Sequence, residues 1–286
     1  MNQDDARDPT YVMGRSEDET RSLVERAEFF KRPTRLLFED AGITTGMKVL
    51  DIGSGPGDVA LLAGELVGAT GRVVGVDMNP AVAAAARARA QAAGMTHVSF
   101  IAGDIREVEV EHDFDAVVGR LVLMYSADPA ATLRAALRAV RDDGLAVFYE
   151  MNMGAAVVSR PTSPLHQLLG RWVSETFARG GVELAMGTKL HQVFLAAGLE
   201  APRMCTDALI GGGSDWVGRF VSAFGANMLR SILPLILQYG VATEDEMALE
   251  TFDRRYREEV LGRGSVVQWL PCVGAWARRR PVASPT

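Results

Sequence analysis

Cysteine is scarce: the 286 residues carry only Cys205 and Cys272. They form no CxxC pair and no metal-ligand spacing, so neither a zinc site nor a disulfide framework is expected. Two unpaired cysteines suit a reducing cytoplasm, the expected compartment. An excess of basic charge is also missing. Thirty Lys and Arg against 36 Asp and Glu leave a net charge of −6, which argues against nucleic acid as the main partner. Long hydrophobic runs are absent. The densest, Ile232 to Val241, is broken by Pro234, Gln238 and Gly240, and it is far short of the ~20 residues of a membrane span. The opening MNQDDARDPT is polar and acidic, unlike a signal peptide. There is no internal repeat, and the low-complexity content is confined to the tail RRRPVASPT. With 48% hydrophobic and 23% charged residues, the composition is that of a folded domain and excludes disorder.

What is present is a regular change of period. Glu17 to about Ala41 is helical in pattern, with Leu23, Ala27 and Phe30 on one face. Val49-Leu50-Asp51-Ile52 then reads as a short buried strand, followed by glycines and a helix over Asp58–Val67. Arg72–Asp77, Val98–Ile101, Phe114–Gly119 and Leu145–Glu150 read as further strands. Between them, Asn79-Pro80 and Asp128-Pro129 each pair an N-cap with a proline at the first helical position. The first of these helices is predicted to stop at Gly94. The second is predicted to run on to Gly144, with Leu133, Leu137 and Val140 sharing a face. Apolar strands alternating with helices imply right-handed βαβ units and a mostly parallel sheet covered on both faces.

The second half is less regular. Helices are expected around Leu165–Phe177 and Thr188–Ala197, and a strand over 203–210. Gly211-Gly212-Gly213 reads as a hinge into a long helical stretch, about 215–261, and Val266–Arg278 as a last strand pair or hairpin. Trp216, Phe220, Phe224, Met228, Leu229, Ile232, Leu233 and Ile236 recur at helical spacing. They suit a core helix, a dimer contact or an apolar lid, and the glycines favour a lid that closes over an acceptor.

The most informative segment is Val49-Leu50-Asp51-Ile52-Gly53-Ser54-Gly55-Pro56-Gly57-Asp58, a strand, a glycine turn and a helix start. Glycines admit a ligand close to the backbone, and the helix N-terminus offers free N–H donors. The spacing is G-x-G-x-G; a dinucleotide fingerprint needs its third glycine where Asp58 stands. An acid at that helix start would also repel a pyrophosphate. Asp77, at the end of the second strand, can accept both hydroxyls of a ribose. Asp104-Ile105, after the third strand, sets a carboxylate beside an apolar residue, which suits an adenine edge.

Taken together, VLDIGSGPGDVALLAG, VVGVDMNP, AGDI, FDAVVGRLVLMY and RDDGLAVFYE resemble, in order and spacing, the motifs of the class I S-adenosylmethionine-dependent methyltransferases. YVMGRSEDET and VGAWARR resemble a bacterial small-molecule subgroup. The resemblance covers about 40–150. It implies a Rossmann-like α/β fold with a seven-stranded, mostly parallel sheet, helices on both faces and a helical cap. It also implies S-adenosylmethionine as cofactor, S-adenosylhomocysteine as product, and a small-molecule methyl acceptor. The implied organisation is an N-terminal lid (1–40), a cofactor-binding core (41–150), and a last part (151–286) that ends the sheet and carries a cap at about 211–262. By the same resemblance Gly53, Ser54, Gly55 and Gly57 would line the methionine moiety, Asp77 the ribose, Met78 the adenine face, and Asp104 and Ile105 its edge. Arg120 would lie where cofactor meets acceptor, and Tyr11 and Arg15 would fold over the cofactor.

Three residues stand out for chemistry. Glu150 ends the fifth strand at the edge where α/β ligands sit, as a general base, an acceptor-positioning group or a solvated strand end. His166 is a base near neutrality or a helix-surface residue. Arg120, in an apolar strand end, pairs a carboxylate of cofactor or acceptor, or bridges to Asp115. The expected activity is methyl transfer to O, N or C of a small, apolar metabolite, without a metal and without a membrane span; a homodimer is left open. Two alternatives stand beside it: the same pocket used without methylation (a cyclase, a decarboxylase or a binding protein), and a nicotinamide oxidoreductase, which the glycine spacing opposes.

Overall fold

A computed structural model describes residues 30–155, 157–213 and 216–280, apart from the side chains of residues 216, 217, 219 and 220. Tyr11, Arg15 and the side chains of Trp216 and Phe220 therefore lie outside the described residues.

The central sheet is assembled from runs of β-branched residues. β1 (Lys48–Ile52), β2 (Arg72–Asp77), β3 (Val98–Ala102), β4 (Phe114–Arg120) and β5 (Val140–Met151) pair in parallel. β7 (Arg203–Asp207) and β10 (Cys272–Arg278) complete it, β10 running antiparallel to both neighbours. The order is β3-β2-β1-β4-β5-β10-β7. The chain reverses direction of growth between β1 and β4, the switch point where open α/β sheets hold ligands. Val49, Leu50, Val73, Val117 and Val118 are all fully buried, as strands covered on both faces must be.

Helices supply that cover. α1 (residues 30–41) sets Phe30 edge-on to the Tyr149 ring and Leu37 against Gly274, where a Cβ would fall 2.6 Å from Leu37 Cδ1. α6 (Met186–Ala196) sets Phe194 edge-on to Phe148. Phe148 and Tyr149 are successive strand residues and point to opposite faces, so α1 and α6 sandwich the sheet. α2 (Asp58–Val67), α3 (Pro80–Ala92) and α4 (Pro129–Leu137) follow the first, second and fourth strands.

α4 starts as predicted, with Asp128 accepting from the Ala131 N–H, but it ends at Leu137 instead of Gly144. Val140 leaves the helix and pairs with Phe114. The Arg279 side chain, from beyond β10, donates to the Leu137 and Val140 carbonyls and so caps the helix end. That stop is a long-range contact with no local signal. The register then jumps from Phe114↔Val140 to Ala116↔Leu145, with Asp143 in the left-handed region.

The cap is not purely helical. β6 (Val158–Arg160), β8 (Ile210–Gly212) and β9 (Val266–Gln268) form a separate antiparallel sheet in the order β6-β9-β8. The terminal segment is therefore no hairpin: β9 belongs to the cap and β10 to the central sheet. The glycine hinge is also corrected. Gly211 and Gly212 pair with Val267 and Val266, and a Cβ on Gly212 would lie 2.6 Å from the Ser265 carbonyl oxygen. Glycine is required at Gly212 for close strand approach, while Gly213, beyond the pairing, takes a φ of 59° with nothing within 4 Å of a Cβ.

α5 (Pro164–Arg179) and α7 (Trp216–Gln238) pack on this small sheet, α9 (Leu249–Tyr256) packs on α7, and the one-turn α8 (Glu244–Met247) lies between α7 and α9 in the chain. Phe224 stands edge-on to Trp269, and Gly225 lets α7 approach Leu169 of α5. Phe224, Met228, Leu229, Ile232 and Ile236 are thus buried, so these members of the apolar series belong to the core. By length and composition Val221–Gln238 would suffice to cross a membrane, yet half of that window is packed inside the protein.

Candidate cofactor and acceptor site

The glycine turn after β1 has three positive φ angles, 62° at Gly53, 52° at Gly55 and 92° at Gly57, a backbone region that side chains with a Cβ enter at a cost. Their surroundings differ. A Cβ on Gly53 would collide with the Val122 side chain, and one on Gly57 would lie 2.8 Å from Phe100 Cζ. Gly55 has nothing within 4 Å. Of the three, only Gly55 presents open backbone; Gly57, expected to line a ligand, serves the contact of α2 with Phe100 and Ala86. Ser54 is buried, its N–H donating to the Val76 carbonyl, while its hydroxyl has no hydrogen-bond partner among the described residues.

Asp77 ends β2 beside this turn. Its Oδ2 accepts from the Gly55 N–H at 2.9 Å and its Oδ1 from the Asn79 N–H at 2.8 Å. Each carboxylate oxygen keeps a further lone pair. Met78, next in the chain, is 64% exposed, an open apolar face of the kind an aromatic base covers. Asp104 is more engaged than expected. The Arg106 guanidinium binds both of its oxygens, at 2.5–3.0 Å, and holds the carboxyl below its ordinary value. Ile105 is buried in the core instead of lining an open edge.

Asp58 sits in the first turn of α2 and forms an ion pair with Arg89 at 2.7 Å. Its charge is thus partnered by a cation, which weakens the expected repulsion of a pyrophosphate. The glycine spacing still opposes a dinucleotide. Asp51, buried under the turn, went unassigned in the sequence. Burial drives its carboxyl well above the ordinary range, with the Arg120 charge pulling back.

Arg120, at the end of β4, does not bridge to Asp115, which instead accepts from Arg141 at 2.8 Å. The Arg120 guanidinium lies over the Phe30 ring, 5.4 Å from its centroid, and donates to Thr34 Oγ1 at 3.2 Å. Burial lowers its pKa, opposed by the charges of Asp58 and Asp51. Among the described residues these two contacts leave much of a five-donor fork unused.

Glu150 is fully buried, not a solvated strand end. Its Oε1 accepts from the Val122 and Leu123 N–H groups at 3.0 and 2.8 Å. Burial pushes its pKa up to about 7 against those backbone donors. His166 is also fully buried, inside the cap. Nε2 lies 3.1 Å from the Gln268 carbonyl and Nδ1 2.7 Å from the Tyr256 hydroxyl. A carbonyl only accepts, so Nε2 carries the proton and Nδ1 accepts from Tyr256. Both nitrogens are spent tying α5 to β9 and α9, and burial holds the imidazole below its ordinary pKa. The surface-residue reading is corrected, and no nitrogen is left over for a proton transfer.

A cleft of about 710 Å³ opens beside α4, lined by Arg106, Arg134, Arg138, Arg279 and Arg280. Arg134 donates to the Ala196 carbonyl and Arg279 to Leu137 and Val140, at the ends of α6 and α4. These guanidiniums cap helix C-termini, where the dipole favours cations.

Residues 43–195 match a family described as a methyltransferase domain. The chain is 36% identical over 114 residues to the arsenite methyltransferase of Aquipseudomonas alcaligenes, covering 37% of this chain and 33% of that protein. It is 30% identical over 133 residues to the ubiquinone/menaquinone biosynthesis C-methyltransferase UbiE of Pseudomonas putida, covering 46% and 49%. The chain thus spans between a third and a half of the length of these curated relatives. Among solved structures it is similar to the YcgJ protein of Bacillus subtilis, with 18% identity, 87% of this chain and 98% of that one covered, and a TM-score of 0.56; at that identity the likeness shows the fold alone.

Proposed function

The chain belongs to the class I S-adenosylmethionine-dependent methyltransferase family, and from that premise we propose that it transfers a methyl group to O, N or C of a small, apolar metabolite. The observation that carries this reading is the pairing of the open Gly55 backbone with Asp77, whose carboxylate keeps lone pairs for two ribose hydroxyls. The buried, unpartnered Ser54 hydroxyl and the exposed Met78 face complete a cradle that fits a nucleoside joined to an amino acid. Tyr11 and Arg15 would close over it.

When bound, the cofactor supplies an electrophilic methyl group on a sulfonium. The chain's residues bind, orient and keep the site dry. Gly53, Ser54 and Gly55 would hold the methionine end, Asp77 the ribose, and Met78 with the Asp104 carboxylate the adenine. Arg120, with donors to spare, would engage a carboxylate beside the reacting end. In-line positioning supplies most of the rate in such a reaction, so no general base is required of the protein. An apolar acceptor is in keeping with a relative named for quinone biosynthesis, and the unpaired Cys205 and Cys272 with a cytoplasmic place of action.

Titration calorimetry tests the cofactor: S-adenosylhomocysteine should bind saturably and NADH should not. Saturable NADH binding would move the assignment to an oxidoreductase. A screen of small apolar metabolites, read by S-adenosylhomocysteine release and a product one methyl heavier, tests the acceptor.

A further inference from the structure

We infer that Glu150 is a positioning residue: its carboxyl holds the chain at 121–123 so that Val122 braces the turn that receives the methionine half of the cofactor. The inference rests on the cofactor reading above.

The segment after β4 is not self-supporting. Leu121 adopts a φ of 53°, which costs a residue with a Cβ roughly 1 kcal/mol or more. It persists because β5 holds it at two successive residues. The Leu121 N–H donates to the Tyr149 carbonyl at 2.9 Å, and the next two N–H groups donate to Glu150 Oε1. Glu150 also stands at the N-terminal end of the short 3-10 turn Leu123–Tyr125, where free N–H groups need an acceptor.

Held this way, Val122 becomes a wedge. A Cβ on Gly119 would lie 2.9 Å from Val122 Cγ1, and one on Gly53 would overlap the same side chain. The isopropyl group therefore fills the space between the end of β4 and the first glycine of the turn. Any movement of Val122 releases Gly53 and, through it, the backbone of Ser54 and Gly55. Glu150 acts on the site at one remove through Oε1, which is spent on the backbone, while Oε2 is buried with no hydrogen-bond partner among the described residues.

Variants and a truncated ligand test this. Titration calorimetry would compare S-adenosylhomocysteine with adenosine, which lacks the methionine end. Glu150→Ala should weaken S-adenosylhomocysteine about ten-fold or more, because the released 121–123 segment no longer holds the glycine turn in its binding form, and adenosine less than about two-fold. Glu150→Gln keeps an acceptor oxygen and should restore binding to within about three-fold of wild type. Val122→Ala should repeat the Glu150→Ala pattern, and the double variant should be no weaker than the worse single one, since both act on one contact. If Glu150→Ala does not fold, Val122→Ala, which leaves the clip intact, carries the same comparison.

Equal weakening of both ligands, additive losses in the double variant, or failure of Gln to restore binding would each overturn the inference. A wild-type protein that binds neither ligand would overturn the cofactor reading and this inference with it; the variant patterns strike the inference alone.

Discussion

The Gly55 N–H and the Asp77 carboxylate are bonded to each other at 2.9 Å, so the residue assigned to the ribose also anchors the turn assigned to the methionine. Asp77 is more than a ligand contact: it sets the height of the glycine turn over the end of β2.

Asp77→Ala therefore removes a ribose acceptor and a backbone tie together. Leaving ribose hydroxyls and one N–H unpaired costs roughly 1–3 kcal/mol, which corresponds to about a ten- to hundred-fold loss in affinity for S-adenosylhomocysteine. Calorimetry on the folded variant gives the number. An unchanged dissociation constant would refute the ribose assignment.

Gly55 and Gly57 should separate binding from folding. Gly57→Ala forces a Cβ toward Phe100 and Ala86 at a φ of 92°. It should lower the melting temperature by several degrees, the shift expected for a core clash of roughly 1–3 kcal/mol. Gly55→Ala meets open space and a milder φ of 52°, so its melting temperature should fall less, while cofactor affinity drops because the new methyl group occupies the cradle. Thermal melts with and without S-adenosylhomocysteine read both effects. The reverse ranking would mean that Gly55 does not face the ligand.

Glu150 makes stability depend on pH. Burial raises its folded pKa to about 7, above an unfolded carboxylate near ~4.3. The folded state then binds the proton more tightly. The contribution is fully present below the unfolded pKa and is lost as pH rises through about 7. Glu150→Gln, which cannot ionise, lacks this loss. Wild type minus Glu150→Gln stability, from denaturant melts at pH 5, 6, 7 and 8, should fall across that range and level off above it. A flat difference would mean that Glu150 is ionised throughout.

Much of the cofactor half is written locally. Strand periods, the Asn79-Pro80 helix start and the G-x-G-x-G turn depend on neighbours within a few residues, and the structure shows Asn79 accepting from the Ala81 N–H as such a cap does. Burial by itself is also legible, since runs such as RVVGVD have no polar face to show to water. Partnership is not. His166 has the same sequence signature whether it faces solvent or, as found, closes a bond network from α5 to α9 and β9.

The same division holds for the chain as a whole. The sequence by itself determined the order of the strands along the chain, the glycine turn and the acids that follow it, because backbone propensity and short-range capping act over one or two turns. Only the tertiary structure decided that α4 stops where Arg279 reaches its carbonyls, that Gly211 and Gly212 pair in the cap sheet, and that Glu150 grips the chain at Val122. Each of these joins residues far apart in sequence, and which buried donor meets which acceptor is settled only when the two surfaces are packed together.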